Sequence, residues 1–401
     1  MTTAHPDPVD FPFPPVPAMG VEKEYGELRS TCPVSRVRLP YGGDAWLVTG
    51  YEQTKKVLAD TRFSRAAVPG KDVPRIQPNN LAEEGGLLDT DPPEHTRLRG
   101  IVARIFTQRH AERLRPGIQA ITDRLLNSME RRGGPIDLVQ EFALPLPITT
   151  VVSELLGVPA EARPRFREWA DATLSTTKRT AEEITRARQE LRAYFSELIE
   201  QRRSAPADDL ISAMVRARDE EGRLSESELV RMAEDIMIGG HETTANRIAS
   251  FTYVLLAHPG QLDRLKADPS LITTAVEELV RYVPLDSASF ARIAKEDVDL
   301  GGVTVRAGEA VFPALLAANR DGLVFTDPDR LDIGRERNQH VGFGHGVHHC
   351  LGAQLGRVEL QVALGSLFTR FPGLRLAVLP EEIPWKSGGL LRGPEQLLVE
   401  W

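Results

Sequence analysis

Long runs of helical periodicity constrain the fold of this chain more than any other feature. From about residue 90 to residue 280, apolar side chains recur three and four residues apart, the pattern of amphipathic helices. The longest runs lie at 112–132, 181–203 and 226–259. Shorter stretches with the alternating pattern or composition of strands lie at 35–50, 297–313 and 375–400. The sequence therefore predicts a mainly helical fold with a small β portion.

The chain is expected to fold as one domain. No internal repeat or low-complexity linker divides it, and 401 residues are enough for one large hydrophobic core. The first 20 residues are rich in proline, which predicts an extended N-terminal arm. We therefore expect an arm over 1–20 and a single domain over 21–401.

Composition and charge exclude several classes of protein. The formal net charge is −8, whereas surfaces that bind nucleic acid are usually basic. No apolar run approaches the roughly 20 residues that span a bilayer, and the N-terminus lacks the features of a signal peptide. The only cysteines, Cys32 and Cys350, cannot build a disulfide framework. We expect a cytoplasmic protein with no nucleic-acid partner and no membrane anchor.

Three histidines and Cys350 fall within VGFGHGVHHC (341–350), directly before a long amphipathic helix. A cysteine at a helix N-terminus gains thiolate character from the helix dipole and the free N–H groups. Three kinds of site compete: a zinc or copper centre, a thiol nucleophile with a histidine base, and a thiolate bound to haem iron. Zinc is disfavoured because no second ligand cluster completes the set, whereas a nucleophile with distant partners stays open. The glycines favour a loop pressed against a flat ligand such as haem.

Two glycines interrupt the helical pattern of MIGGHETTANRIAS (237–250), each at a cost of roughly 1 kcal/mol relative to alanine. They indicate close helix packing or a ligand lying against the backbone. Glu242 and Thr243 follow, an acid beside a hydroxyl that can bond the carbonyl four residues earlier and locally open the helix. Taken alone, this stretch suits helix packing as well as it suits a ligand site.

Two other pairs of residues share a helix face. Glu278 and Arg281 are three residues apart, and by themselves they would be a common surface ion pair. His95 and Arg99 are four residues apart in DPPEHTRLRG, where two cationic donors suit a carboxylate or a phosphate. A solvated basic face is the alternative for the second pair.

Together and in this order, these stretches resemble the motifs of the cytochrome P-450 family of haem-thiolate monooxygenases. GGHETT resembles the family's oxygen-activation pattern, and Glu278 with Arg281 resembles its E-x-x-R pair. Arg330, in the segment PDRL, resembles the arginine that completes this pair. The loop is similar to the signature F-x-x-G-x-x-x-C-x-G at Phe343, Gly346, Cys350 and Gly352. The resemblance covers nearly the whole chain and is typical of soluble members from actinobacterial secondary metabolism.

The resemblance implies a role for each of these residues. A haem b would lie between the long distal helix and the proximal loop, with Cys350 as the iron ligand and Phe343 packed near the sulfur. Glu242 and Thr243 would order the waters that deliver protons. The groups expected around the haem propionates are His95, Arg99, Arg292 and His348.

The implied activity is insertion of one atom of O₂ into a C–H bond, giving hydroxylation or, on an alkene, epoxidation. The electrons would come ultimately from NAD(P)H through a ferredoxin and its reductase, and a monomer is expected. A set of basic residues near the His95 helix would steer an acidic ferredoxin or form a solvated face: Arg97, Arg104, Arg109 and Arg113. A peroxide-driven oxidase, a coupling haem-thiolate oxidase and a haem-based sensor stay open as alternatives. The Glu242–Thr243 pair favours the O₂-activating enzyme.

The resemblance also implies a substrate pocket. Its expected residues are Leu88, Asp235, Ile238, Gly239, Ala288, Phe290 and Leu390. An apolar pocket with one acid suits a natural product such as a macrolide, another polyketide or a terpenoid. Asp235 lies two turns before Thr243, at the edge of the pocket. We expect it either to pair with an arginine or to bind a substrate amine, since an unpaired buried carboxylate is costly.

Overall fold

Helices carry most of the fold in the computed structural model, which describes residues 7–14, 16, 19–78, 82, 85–175 and 178–401. Residues 1–6, 15 and 17–18 of the expected N-terminal arm lie outside the described residues. The α-helices found in the described part are α1 (Lys23–Thr31), α2 (Tyr51–Ala59), α3 (Glu94–Val102), α4 (Gln108–Arg132), α5 (Pro145–Pro147), α6 (Arg163–Thr173), α7 (Ala181–Ser204), α8 (Leu210–Asp219), α9 (Glu226–Ala257), α10 (Pro259–Ala267), α11 (Ile272–Tyr282), α12 (Leu315–Ala318) and α13 (Ala353–Arg370). Two π-helical segments, Val139–Ala143 and Ile148–Leu155, flank α5.

The β portion is small and built from short strands. They are β1 (Val9–Asp10), β2 (Val34–Arg38), β3 (Asp44–Val48), β4 (Phe63–Ser64), β5 (Ile136–Asp137), β6 (Arg292–Ala294), β7 (Val298–Asp299), β8 (Thr304–Val305), β9 (Ala310–Pro313), β10 (Arg375–Leu376) and β11 (Leu398–Glu400). They form a sheet in the order β1-β2-β3-β9-β6-β4, a second sheet β10-β11-β5 and the pair β7-β8. The hairpin expected at 35–50 is β2 and β3, with Val37 opposite Ala45. The prediction of a mainly helical fold with a small β portion is confirmed.

The described part of the N-terminal arm is packed onto the first sheet. Strand β1 pairs in parallel with β2. The rings of Phe11 and Phe13 are buried and meet the ring of Tyr25 edge-on, at centroid distances of 6.4 and 4.9 Å. Buried aromatic pairs of this geometry stabilise packing beyond the apolar area they bury. These rings therefore belong to the hydrophobic core, and the boundary at residue 21 stays a prediction.

The centre of the fold is α9, a helix of 32 residues. A capping box fixes its start: the Ser225 hydroxyl accepts from the Glu228 N–H, and the Glu228 carboxylate accepts from the Ser225 N–H. Most of its side chains are buried, because α9 packs against α7, α13 and the π-helical segments around α5. A helix that is buried all round is a core helix. Residues that contact α9 are therefore positioned by a helix that lies in the hydrophobic core.

The carboxylate of Glu278 on α11 is fully buried and satisfied on both oxygens. Arg281 donates to it from Nε and Nη2, each at 2.8 Å. The Nε of Arg335 donates at 3.0 Å, and the backbone N–H of Asp332 donates at 3.0 Å. The side chains of Glu278 and Arg281 are both 0% exposed, so the pair is not a surface ion pair.

The prediction that Arg330 completes this pair is wrong. The side chain of Arg330 is exposed, and only its backbone carbonyl takes part, accepting from Arg281 Nη2 at 3.3 Å. The completing side chain is Arg335, which also donates from Nη1 to the Thr326 carbonyl at 2.8 Å. The physical reason is the turn at Asp327–Arg330, which directs the chain so that the arginine five residues later reaches Glu278.

We expect Arg335→Leu to destabilise the folded protein and Arg330→Leu to leave it almost unchanged. Loss of a hydrogen bond to a buried charged group costs about 2 kcal/mol, whereas an exposed side chain typically changes stability by less than about 0.5 kcal/mol. The urea midpoints of the two purified variants measure the difference. A larger loss in the Arg330 variant would contradict the assignment.

Candidate active site

A cavity of about 330 Å³ lies between α9 and the loop that carries Cys350. Gly239, Thr243 and Thr244 of α9 line it on one side. The lining on the other side comes from the cysteine loop: Gly342, Phe343, Gly344, His348, His349, Cys350, Leu351 and Gly352. Leu88 and Phe290 also line it, and both are large apolar side chains left exposed. Exposed apolar surface facing an internal space indicates that a ligand covers it.

The cysteine loop is held by its own backbone and by α2. The Cys350 N–H donates to the Phe343 carbonyl at 2.8 Å, and the Gly344 N–H donates to the Val341 carbonyl at 2.7 Å. Gly346 has a φ of 70°, and a Cβ there would lie 2.4 Å from the Leu58 carbonyl oxygen. Only glycine fits that position. This glycine serves packing against α2, while Gly342, Gly344 and Gly352 line the cavity.

Cys350 precedes α13 as the sequence predicted, and its exposed surface faces the cavity. The pKa of the Cys350 thiol lies above its usual value, because burial outweighs the hydrogen bond from the Gly352 backbone and the positive charges of Arg247 and Arg99, which lower it. The lowering contributions act toward the thiolate, the form that binds a metal. The described residues gather no cluster of three or more His, Cys, Asp or Glu side chains able to hold a metal ion, so the zinc alternative has no site there.

Four cationic or imidazole groups predicted to hold an anionic ligand meet in this cavity: His95, Arg99, Arg292 and His348. The two imidazole rings lie 4.3 Å apart between centroids, and the described structure gives neither Nε2 a hydrogen-bond partner. Burial lowers the pKa of His95 to about 4, and burial with the nearby His95 lowers the pKa of His348 to about 2. Buried polar atoms are normally hydrogen-bonded, so these two nitrogen atoms point to a partner supplied by a ligand.

Sequence reasoning missed Arg65, which also lines this cavity. Its Nη1 donates to the Ala291 carbonyl at 2.5 Å, and its Nη2 pairs with Asp89 at 2.5 Å. Burial and the charge of Arg65 lower the pKa of Arg292 to about 9. Arg65 stands in the segment FSRA without a spacing pattern, and its position follows only from the pairing of β4 with β6. The cavity edge therefore holds a buried Arg65–Asp89 ion pair that the sequence did not indicate.

The two glycines of α9 serve different purposes. A Cβ on Gly240 would lie 2.8 Å from Val151 Cγ1, whereas a Cβ on Gly239 would meet nothing within 4 Å. Gly240 therefore permits close helix packing, and Gly239 opens the backbone to the cavity. The hydroxyl of Thr243 donates to the Gly239 carbonyl at 2.7 Å, as expected, but α9 continues through this point as a helix.

Glu242 and Thr243 face different cavities. Thr243 lines the cavity with Cys350, whereas Glu242 lines a second cavity of about 750 Å³ on the other side of α9. The Glu242 carboxylate is 2.5 Å from Lys386 Nζ and accepts from Asn246 Nδ2 at 3.2 Å. Burial alone would raise the pKa of Glu242, but Lys386 and His241 bring it below its usual range. Sequence analysis did not identify Lys386 as the partner of Glu242, because the two are 144 residues apart in the chain.

Four of the predicted pocket residues line the first cavity, namely Leu88, Asp235, Gly239 and Phe290. The other three do not. Ile236 takes the place of Ile238, because residues two apart on an α-helix are rotated by about 200°, so Ile238 faces away from the side on which Ile236 and Gly240 line the cavity. Ala288 packs against the hydrophobic core beneath the first sheet. Leu390 is turned away, with its N–H donating to the Leu174 carbonyl at 2.9 Å, and Leu391 lines the second cavity.

Asp235 meets the first of the two expectations made for it, and the binding of a substrate amine stays a prediction. Its Oδ1 is 3.2 Å from Arg231 Nη2, so it does pair with an arginine. Its Oδ2 has no hydrogen-bond partner among the described residues. Burial raises the pKa of Asp235 to about 6, with Arg231 opposing and Asp89 adding to the rise. The carboxylate is thus only partly satisfied by the protein.

A cysteine before a helix, a set of anion-binding groups and one cavity lined by both are the features of a haem-thiolate site. The family model for Cytochrome P450 matches residues 31–400, and the chain belongs to this family. Nocardicin C N-oxygenase of Nocardia uniformis subsp. tsuyamanensis is 52% identical over 98% of this chain and 99% of that protein. Mycinamicin IV hydroxylase/epoxidase of Micromonospora griseorubida is 50% identical over 100% of both. The crystal structure of HinD with NMFT and NO matches with a TM-score of 0.95 at 48% identity, covering 99% of this chain and 100% of that one.

The chain is accordingly a cytochrome P-450 monooxygenase, as predicted. Membership of the family implies a haem, O₂ as co-substrate and reducing equivalents from NAD(P)H. Every helix in the described ranges is too short or too polar to cross a bilayer.

We expect Cys350→Ser to abolish the thiolate-type spectrum of the reduced CO adduct, because a serine hydroxyl is not ionised near neutral pH. Cys32→Ser is the matched control, since the Cys32 thiol lies outside the cavity and contacts the Val34 carbonyl at 3.0 Å. Absorbance spectra of the two reduced, CO-treated variants decide the matter. The opposite pattern would remove Cys350 as the iron ligand.

Proposed function

We propose that this monooxygenase holds its haem through Cys350 and oxidises a mostly apolar natural product in the cavity between α9 and the cysteine loop. The observation that carries the proposal is the juxtaposition of Cys350, Thr243 and unpartnered imidazole groups around one space. Cys350 would be the proximal ligand, and the haem propionates would accept from His95, Arg99, Arg292 and His348. When bound, the haem b supplies activation of O₂ and oxidation of the C–H bond.

Thr243 is proposed to handle protons inside the cavity. Its hydroxyl hydrogen is committed to the Gly239 carbonyl at 2.7 Å, which leaves the oxygen lone pairs to accept from a cavity water. Glu242 is proposed to take protons from the second cavity, where Lys386 and Asn246 hold its carboxylate. The two residues are consecutive, so a proton moved between them passes from one side of α9 to the other. With Glu242 exchanging protons in the second cavity and Thr243 in the first, protons reach the substrate without bulk water entering the first cavity.

The proposed substrate is a macrolide, another polyketide or a terpenoid. Support comes from the apolar lining, which includes Leu87, Leu88, Ile236 and Phe290. It also comes from the relatives, one named for mycinamicin IV and another for nocardicin C. The proposed reaction is hydroxylation or epoxidation. A haem-based sensor is disfavoured because a sensor does not need Thr243 and a separately buried acid.

The proposed electron donor is a ferredoxin fed by an NAD(P)H-dependent reductase, with the protein acting as a cytoplasmic monomer. Arg104, Arg109 and Arg113 support an acidic partner, since all three are exposed, the first just before α4 and the other two in its first turns. Arg97 is not part of this surface, because its guanidinium is paired with Glu94 and Glu228. The basic face is therefore smaller than the sequence suggested.

Replacing Thr243 by alanine should divert electrons from product to hydrogen peroxide, because the cavity then lacks the hydroxyl that orders water. Consumption of NAD(P)H with a reconstituted redox system should continue, while product per NAD(P)H falls at least about tenfold. Thr252→Ala is the control, since Thr252 makes the same bond to its i−4 carbonyl, at 2.8 Å, but lies outside the cavity. Unchanged coupling in Thr243→Ala would leave Thr243 a purely structural residue.

An amine-bearing substrate should bind more tightly than its deaminated analogue, because the free Oδ2 of Asp235 can accept from an ammonium. Asp235→Asn should erase the preference, which we expect to be roughly 1–3 kcal/mol. The preference should be full well above pH 6 and fade below it, since the pKa of Asp235 is raised to about 6. The affinity of each ligand, and hence the preference, is measured by titrating the haem spin shift. Equal affinities in the unsubstituted protein would make the pocket selective by shape alone.

A further inference from the structure

Arg247 is a buried arginine on α9, one helical turn after Thr243. Only 6% of its surface is exposed, and it lines the same cavity as Cys350. Its Nη2 donates to the Gly342 carbonyl at 3.1 Å, and its guanidinium carbon lies 5.6 Å from the centroid of the Phe343 ring. The side chain therefore ties the distal helix directly to the loop that carries the cysteine.

The charge of Arg247 is not balanced by an ion pair within the described residues. The described structure gives its Nη1 no hydrogen-bond partner. Asp286, which also lines the cavity, acts on it electrostatically but forms no ion pair with it. Glu277 is already neutralised by bidentate contacts from Arg357 at 2.7 and 2.9 Å. A buried charge without a partner is costly, so the site must gain from keeping it.

Burial lowers the pKa of Arg247 to about 10, which leaves the guanidinium charged near neutral pH. The guanidinium carbon lies 5.7 Å from the ring centroid of Phe251 and 5.6 Å from that of Phe343, which gives a weak cation–π attraction. Apolar residues of similar length could fill this space without any desolvation penalty. Packing alone therefore does not account for an arginine here.

We propose that Arg247 is a positioning residue that anchors the cysteine loop to α9 and places a positive charge beside the thiolate, raising the reduction potential of the bound haem. The inference rests on the proposed role of Cys350 as iron ligand. Reduction adds one electron, supplied by the redox partner, to the ferric haem–thiolate unit. A fixed positive charge nearby stabilises the reduced state relative to the oxidised one. Arg247 thereby makes electron acceptance easier without touching the substrate.

Three variants of the haem-loaded protein separate charge from anchoring. Arg247→Gln removes the charge but retains an N–H donor for the Gly342 carbonyl. Arg247→Met removes both and fills the space between the phenylalanines. Arg247→Lys keeps the charge. The matched control is Arg264→Gln, a half-exposed arginine on α10 that pairs with Asp332 at 3.0 Å.

The midpoint potential of each variant is measured by spectroelectrochemical titration, alongside the fraction of the reduced CO adduct that keeps thiolate ligation. Arg247→Gln and Arg247→Met should shift the one-electron reduction equilibrium about tenfold toward the oxidised form, equivalent to 59 mV. Arg247→Lys and Arg264→Gln should stay within about threefold of the unsubstituted protein. Arg247→Met should also lose thiolate ligation faster than Arg247→Gln, because only the glutamine retains the bond to the loop.

Either neutral variant that takes up haem is sufficient for the test. An unchanged potential in that variant, or an equal fall in Arg247→Lys, overturns the electrostatic role. If neither neutral variant takes up haem while Arg247→Lys does and keeps its potential, the charge is needed for the site and the proposal stands. Failure of the proposed haem ligand is distinguished separately, because the unsubstituted protein would then lack the thiolate-type CO spectrum.

Discussion

The buried carboxylate of Glu278 is the interaction on which the position of the cysteine depends. It accepts from Arg281, Arg335, Asn338 and the Asp332 backbone, so it joins α11 to the segment that leads into the cysteine loop. A buried carboxylate with every lone pair engaged is rigid, whereas one with a missing donor is strongly destabilising. These bonds fix the segment at 332–338, and so they set where the cysteine loop begins. Two further features position the start of the cysteine loop against α11. His340 Nε2 lies 3.1 Å from Glu277 Oε2, and Gly342 packs so closely on Val280 that a Cβ there would collide with it.

Glu278 is fully hydrogen-bonded, whereas several polar groups inside the cavity have no protein partner in the described structure. His95 and His348 have unpartnered Nε2 atoms, and the described structure gives Arg292 no ion pair. Burial of these groups opposes folding, and a ligand with carboxylates would offset the penalty. Anything that binds the folded state and not the unfolded state stabilises it by mass action. We infer that the protein is more stable with its haem than without, and that the anion-binding groups account for much of the difference.

Sequence reasoning succeeded where function depends on contiguous residues and failed where it depends on contacts across the fold. Cys350 and its loop could be assigned because a short signature and a helix start lie together. Arg335 could not be distinguished from Arg330, since the choice depends on how the turn at 327–330 directs the chain toward a carboxylate on α11. Arg65 reaches the cavity only because β4 pairs with β6. The failure at Ile238 was avoidable, because helix geometry alone rotates it by about 200° from Ile236 and from Gly240, which both line the cavity.

The same geometry explains why two adjacent residues, Glu242 and Thr243, serve two cavities. A rotation of about 100° per residue places consecutive side chains on different faces, so a single helix can form the wall between two spaces. On one face Gly239 and Thr243 line the cavity that also contains Cys350, and the Thr243 hydroxyl donates to the Gly239 carbonyl. On the other, Glu242 is fixed by Lys386 from the far end of the chain. Because α9 is buried along most of its length, its packing holds the two side chains on these separate faces. The proposed transfer of a proton from one cavity to the other therefore depends on one carboxylate and one hydroxyl at neighbouring positions.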